Sequence, residues 1–374
     1  MNTLAAGYHF NFHSNVNVPW HESWRPLDIS VARWVIAHHG SKLLAEVAAW
    51  ASYAEGQGDS ALPLIGEATR HGMRQLSESE ITELARDALL HSEKIISTDT
   101  TNKPFVLQDG NFYLRRNFMH EVVVANSILR RSKRVSHMHA ALSEDELDCL
   151  FNGIRGIEIQ AQRDAVRACL GCNLFVLTGG PGTGKTTTVL RMLMALSRQQ
   201  LTSAQSRPII RISAPTGKAA QRLKESLITG GQKFRESVMD STWVEHLDAA
   251  LAAESSTLHR LLGSRGHHGG FAQNTENPIS ADIIVVDEAS MVDLAMLRAL
   301  LDALNDDTIL ILVGDADQLA SVGTGTVFQD IVVAMEENSS KGLVRLKHCY
   351  RSDLALVPIN DAVRTGDKIA FDSA

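Results

Sequence analysis

The spacing of apolar residues changes partway along the chain, and that change is the first guide to its organisation. After Arg25-Pro26-Leu27-Asp28 they recur at Val31, Trp34 and Val35, then at Leu43, Leu44, Val47 and Ala48, the spacing of one helix face. Ser77-Glu78-Ser79-Glu80 ahead of Ile81 and Leu84 reads as a helix start with acids in its first turn. Phe105-Val106-Leu107, Gln108-Asp109-Gly110-Asn111 and Phe112-Tyr113-Leu114 predict a short hairpin. Residues 1–145 are therefore expected to form a mainly helical domain.

From about 146 the pattern alternates. Leu174-Phe175-Val176-Leu177, Pro208 to Ala214, Ile283-Ile284-Val285-Val286 and Ile309-Leu310-Ile311-Leu312-Val313 are continuous apolar strands. Helical stretches fall between them at Thr186 to Ser197, Gly217 to Ile228 and Leu294 to Leu304. Unbroken apolar strands separated by helices predict an α/β domain, a parallel sheet covered on both faces.

Composition adds limits. Of 374 residues, 44% are hydrophobic and 21% charged, the balance of a globular protein. No apolar run approaches the ~18–20 residues of a membrane span, so no membrane partner is expected. The first twenty residues lack a basic start and an apolar core, so no secretory signal is visible and a cytoplasmic location is expected. The net charge of −7 disfavours a protein that coats DNA non-specifically; any nucleic-acid contact must be a local groove. Cys169 and Cys172 form a C-x-x-C without a second pair at zinc spacing, and read as small residues ending a helix before a strand. Arg130-Arg131-Ser132-Lys133-Arg134 reads first as a solvated helix face, second as a phosphate or partner contact.

The chemistry is concentrated after the first strand. Gly179-Gly180-Pro181-Gly182-Thr183-Gly184-Lys185-Thr186 fits G-x-x-x-x-G-K-[ST] at every fixed position, with a strand before it and a helix after. Triphosphate binding needs main-chain N–H groups curled inward, which glycine permits, and a helix N-terminus adds positive potential. Lys185 would reach the β- and γ-phosphates of ATP, with Thr187 following in the same turn, and Thr186 would place its hydroxyl on Mg²⁺. Asp287, at the end of a strand, would hold the same ion, and Glu288 beside it would orient or deprotonate the attacking water. No guanine signature of the N-K-x-D type follows. The domain is thus a P-loop NTPase. On spacing alone Gln162 is a solvated helix residue, although its amide could also pair with an adenine edge.

Three further stretches follow in order: Ala214-Pro215-Thr216-Gly217-Lys218-Ala219-Ala220, Thr257-Leu258-His259-Arg260-Leu261-Leu262, and Gly314-Asp315-Ala316-Asp317-Gln318-Leu319 with Ser321-Val322 beyond. With the P-loop and the acidic pair they resemble the ordered motifs of superfamily 1 DNA helicases. The wording GGPGTGKTTT, APTGKAA, STLHRLLG, VVDEASM and GDADQLASV, with RPLD, ALPL and FVLQDGNFYLRRNF nearer the N-terminus, resembles the RecD family (superfamily 1B), the alpha subunits of exodeoxyribonuclease V.

That resemblance implies a RecA-like motor domain over 146–340, with a small hairpin insertion near 263–278 and a partner-docking N-terminal domain. Residues 341–374 would open a second motor domain that stops short of motifs V and VI. It implies a 5′→3′ helicase subunit working with RecB and RecC in double-strand-break repair, and a piece this short is expected to bind ATP–Mg²⁺ with little turnover. Gln162 would read adenine, Gln318 would sense the γ-phosphate and Arg351 would contact it. Thr216, Lys218, Thr257 and His259 would face single-stranded DNA, with His259 as a core histidine the equal alternative. Two other readings stay open: an inactive assembly or regulatory fragment, and the motor of another superfamily 1 helicase such as that of a relaxase.

Overall fold

The computed structural model describes residues 18–66, 71–91, 103–133, 142–204, 206–237, 241–266, 269–318, 323–348, 350 and 368. The expectations attached to the first seventeen residues, Arg134, Leu319 to Val322 and Arg351 lie outside the described residues. The chain divides into two compact units, residues 1–118 and 119–374.

The first unit opens with α1 (Pro26–Ala37) and α2 (Lys42–Gly56). Proline at the first helical position suits a turn whose N–H has no partner anyway, and Asp28 three residues past Arg25 accepts the Arg25 N–H at 2.8 Å. Then follow β1 (Leu62–Pro63), α3 (Glu78–Leu84), β2 (Leu90–His91), β3 (Phe105–Gln108) and β4 (Asn111–Leu114). The predicted hairpin is β3–β4, turning at Asp109 and Gly110, both with positive φ. The described part of the unit is mainly helical, as expected, and that hairpin adds to it the centre of a small four-stranded sheet ordered β1-β4-β3-β2. Strands of two residues carry too little alternation to be read from sequence. Leu44, Val47, Trp50, Leu62, Phe105 and Phe112 are part of one buried cluster joining helices and sheet.

Helix α4 (Arg115–Lys133) contains the division between the units. The boundary expected near 145 moves to 118 because Val124 is buried in the motor core and Ile128 packs against it. Arg131 is only 1% exposed and donates to the carbonyls of Thr308 and Asn305, each at 2.9 Å. The reading of the basic run as a solvated face therefore fails at Arg131, whose guanidinium satisfies carbonyls beyond a helix end. The remaining order is α5 (Glu144–Leu150), α6 (Ile157–Cys169), β5 (Leu174–Gly179), α7 (Lys185–Ala204), β6 (Ile210–Ala214), α8 (Gly217–Ser237), α9 (Val244–Leu251), β7 (Glu254–Thr257), α10 (Leu258–Leu261), β8 (Ile283–Val286), α11 (Leu294–Asp302), β9 (Ile309–Gly314), α12 (Val327–Glu337) and β10 (Leu343–Leu346).

Six parallel strands form one sheet, ordered β10-β5-β9-β8-β6-β7. Alternation along each strand divides the core in two. Phe175, Leu177, Ile212, Val285 and Ile311 pack towards α5 to α9, while Val176, Ile284, Val286 and Leu312 pack towards α11 and α12. Residues 341 onward were expected to open a second motor domain. Instead β10 pairs with β5 as an edge of this sheet. Cys169 ends α6 and Cys172 lies just before β5, as read. No helix among the described residues is long and apolar enough to cross a membrane.

Candidate nucleotide and single-strand site

Every motif of interest leaves the carboxyl end of a strand in this sheet, where the ligand crevice of an open α/β sheet lies. The P-loop runs from the end of β5 to the first turn of α7. Gly182 and Gly184 have φ of 80° and 85°, a region costly for any other residue. A Cβ on Gly184 would also lie 2.5 Å from Gln162 Nε2. The Lys185 ammonium donates to the Gly179 and Gly180 carbonyls at 2.6 and 3.0 Å, so it lies along the loop it was expected to serve. Thr183 donates its hydroxyl to Gly180 O at 2.8 Å. Pro181 and Thr187 are exposed and Thr186 is half-buried at the start of α7.

Gln162 is 5% exposed, so the solvated reading is corrected. Its amide Nε2 donates to Thr183 O at 3.3 Å, tying α6 to the loop. Tyr350 was not singled out from sequence, although it precedes Arg351 directly. Its N–H donates to Gly182 O and its hydroxyl to Glu158 O, both at 2.9 Å, which closes the loop from the β10 side.

Asp287 and Glu288 follow β8. The Asp287 N–H donates to Ser213 O at 2.8 Å, which holds the acidic turn beside β6. Glu288 has a φ of 52°, a conformation that costs an L-residue roughly 1–2 kcal/mol. Burial, and then the Glu288 charge, push the Asp287 carboxyl up to about 6; the Glu288 N–H and the Lys185 charge pull the other way. A carboxylate held in this way gains from a cation, which suits an Mg²⁺ ligand, with the Thr186 hydroxyl available from α7. Among the described residues no group of three or more His, Cys, Asp or Glu side chains that could hold a metal ion occurs.

Asp315 and Gln318 follow β9. Ala316 N–H donates to the Thr178 hydroxyl at 3.1 Å, linking this turn to the strand that bears the P-loop. Arg345 of β10 pairs with Asp317 at 3.3 Å and Glu336 at 3.1 Å, leaving Gln318 exposed on the adjacent position.

Thr216 and Thr257 cap neighbouring helices. Their hydroxyl oxygens accept from the N–H groups of Ala219 and Arg260, each at 3.2 Å. The capping uses a lone pair and leaves each O–H free to donate outward. The two helix starts lie side by side, since a Cβ on Gly217 would be 3.8 Å from Thr257 Cγ2. Lys218 and His259 are both exposed, which removes the core-histidine alternative.

With this geometry in place, likeness to known proteins can be weighed. Residues 21–113 match the family model for the N-terminal domain of RecBCD enzyme subunit RecD, and residues 162–324 match that for an AAA domain. The RecD-specific match thus lies in the first unit, and the match in the second is to a general AAA domain. The chain is 41% identical over 213 residues to RecBCD enzyme subunit RecD of Mycolicibacterium smegmatis, covering 57% of this chain and 36% of that protein. The Haemophilus influenzae RecBCD enzyme subunit RecD is 38% identical over 232 residues, 61% of this chain and 35% of that one. The ATP-dependent RecD2 DNA helicase of Deinococcus radiodurans is 35% identical over 166 residues, 44% of this chain and 19% of that one. The matched part spans about a third of the length of each of these two RecD subunits. The AAA match begins at Gln162 and ends at Thr324, so it includes the P-loop, the acidic pair and Gln318.

Proposed function

We propose that this chain is the ATP- and single-strand-binding part of a RecD-type 5′→3′ DNA helicase subunit, which assembles with RecB- and RecC-type partners in recombinational repair of double-strand breaks. One observation carries the proposal. A P-loop, a half-buried acidic pair, an exposed glutamine and two capped helix starts leave successive strand ends of one parallel sheet.

Lys185 lets go of the loop carbonyls and takes the β- and γ-phosphates, while Gln162 borders the adenine. Asp287 and Thr186 would hold Mg²⁺, which would supply charge neutralisation at the phosphates. Glu288 orients the attacking water and accepts its proton. Gln318 senses the γ-phosphate, and Arg351 supplies positive charge to it. Thr216 and Thr257 donate to backbone phosphates, and Lys218 adds a charge.

Titration with a labelled ATP analogue tests the nucleotide half. Saturable, magnesium-dependent binding is expected, weakened at least ~100-fold by Lys185→Gln with the melting temperature unchanged. Equal binding by both chains would overturn it. Co-purification with RecB- and RecC-type subunits tests the assembly half.

A further inference from the structure

The resemblance implies a hairpin insertion near 263–278, and among the described residues of the segment between α10 and β8 two short arms pair. Arg265 N–H donates to Gly270 O at 3.1 Å, Ala272 N–H to Gly263 O at 2.9 Å, and Gln273 N–H to Leu262 O at 3.0 Å. Gly263 permits the arms to close, with a φ of 66° and a Cβ position only 3.0 Å from Ala272 Cβ. Ser264 and Phe271 face each other across the arms. Ser264 N–H also donates to His259 O at 2.9 Å, which fastens the hairpin to the end of α10.

Between Gly263 and Gln273 the only large apolar side chain is Phe271. Part of it packs on the motor core, and the ring stays half-exposed. Its centroid is 6.1 Å from that of the exposed His259 ring, with the planes at 59°. His259 lies two residues past the Thr257 cap, and Thr257 abuts the start of α8. Phe271 thus has one neighbour in the core and another in the exposed His259 ring, beside the two helix starts argued above to hold phosphates.

We propose that Phe271 and His259 form a two-ring platform on which one base of the bound strand stacks, its flanking phosphates held by Thr216, Lys218 and Thr257. The proposal rests on the single-strand reading and adds a base contact to it. Stacking of this kind tolerates any sequence, because every base has a π-face.

Binding of the full 374-residue chain to oligo(dT), and to a strand of equal length built from abasic residues, separates the contributions. Phe271→Leu keeps apolar volume against the core and removes the ring. It is expected to weaken oligo(dT) binding about ten-fold or more while leaving the abasic strand unaffected, and Phe271→Trp restores the difference. Lys218→Ala weakens both strands alike. If Phe271→Leu does not fold, His259→Ala is read in the same way, because that ring is exposed. Equal loss on both strands, or no loss on either, overturns the platform. A wild-type chain that binds neither strand overturns the single-strand reading itself.

Discussion

At the scale of single residues, Asp287 links the acidic turn to pH. Its carboxyl is raised to about 6, chiefly by burial and then by Glu288. A raised carboxyl pKa means that the folded chain binds this proton more tightly than the unfolded chain does. Between the unfolded value near 4 and the folded value near 6, stability therefore falls as pH rises, and above 6 the penalty levels off at no more than about 3 kcal/mol. Asp287→Asn removes the penalty. Without magnesium, the variant is expected to melt higher than wild type at pH 8 and equally at pH 4, and a constant offset across that range would contradict the assignment. With magnesium and nucleotide the order reverses at pH 8, since only the carboxylate binds the ion. Gln162 makes a different point at the same scale. Its spacing within α6 suggests a solvated residue, but it is buried because the P-loop lies over it.

At the scale of elements, two contacts decide whether the motor holds its shape. The loop between β5 and α7 needs Gly184 for its φ of 85° and for the approach of Gln162 Nε2. Gly184→Ala should lose nucleotide binding by a factor of ten or more, by about 1–2 kcal/mol of backbone strain together with the clash. In a Gln162→Ala background, which lacks both the clash and the adenine contact, the loss caused by Gly184→Ala should shrink but persist, because the strain remains. No loss in that background would show that φ does not matter there. The second contact is Arg131 of α4, which donates to carbonyls between α11 and β9. Arg131→Met keeps the aliphatic stem and strands those acceptors. A loss of about 2–4 kcal/mol in urea unfolding of the motor core is expected, and a change below 1 kcal/mol would rule out the anchor.

At the scale of the whole molecule, net charge and local charge point in opposite directions. The chain is acidic overall, at −7, yet Lys218, Arg222 and Arg260 are exposed on α8 and α10 near the capped helix starts. Few phosphates can then be neutralised, so log affinity for a single strand against log salt should have a shallow slope of about −1 to −3, at roughly −0.7 per phosphate. A much steeper slope would mean a wider cationic surface than these side chains offer. The same contrast between pattern and placement separates what each level determined. The four central strands, the P-loop, the acidic pair and the β3–β4 hairpin were legible because they depend on local order: runs of apolar residues, glycines at fixed spacing, a turn signature. The small N-terminal sheet, the edge strands β7 and β10, the burial of Arg131 and Gln162, and the nearness of Tyr350 to Gly182 were not. Each depends on which distant segment lies opposite, and a two-residue strand or a lone arginine carries no periodicity to announce its partner. Sequence determined which chemical groups the chain owns and the order in which strands present them. Tertiary structure decided which of them share a sheet edge, because strand order in a parallel sheet is set by crossovers between segments far apart along the chain.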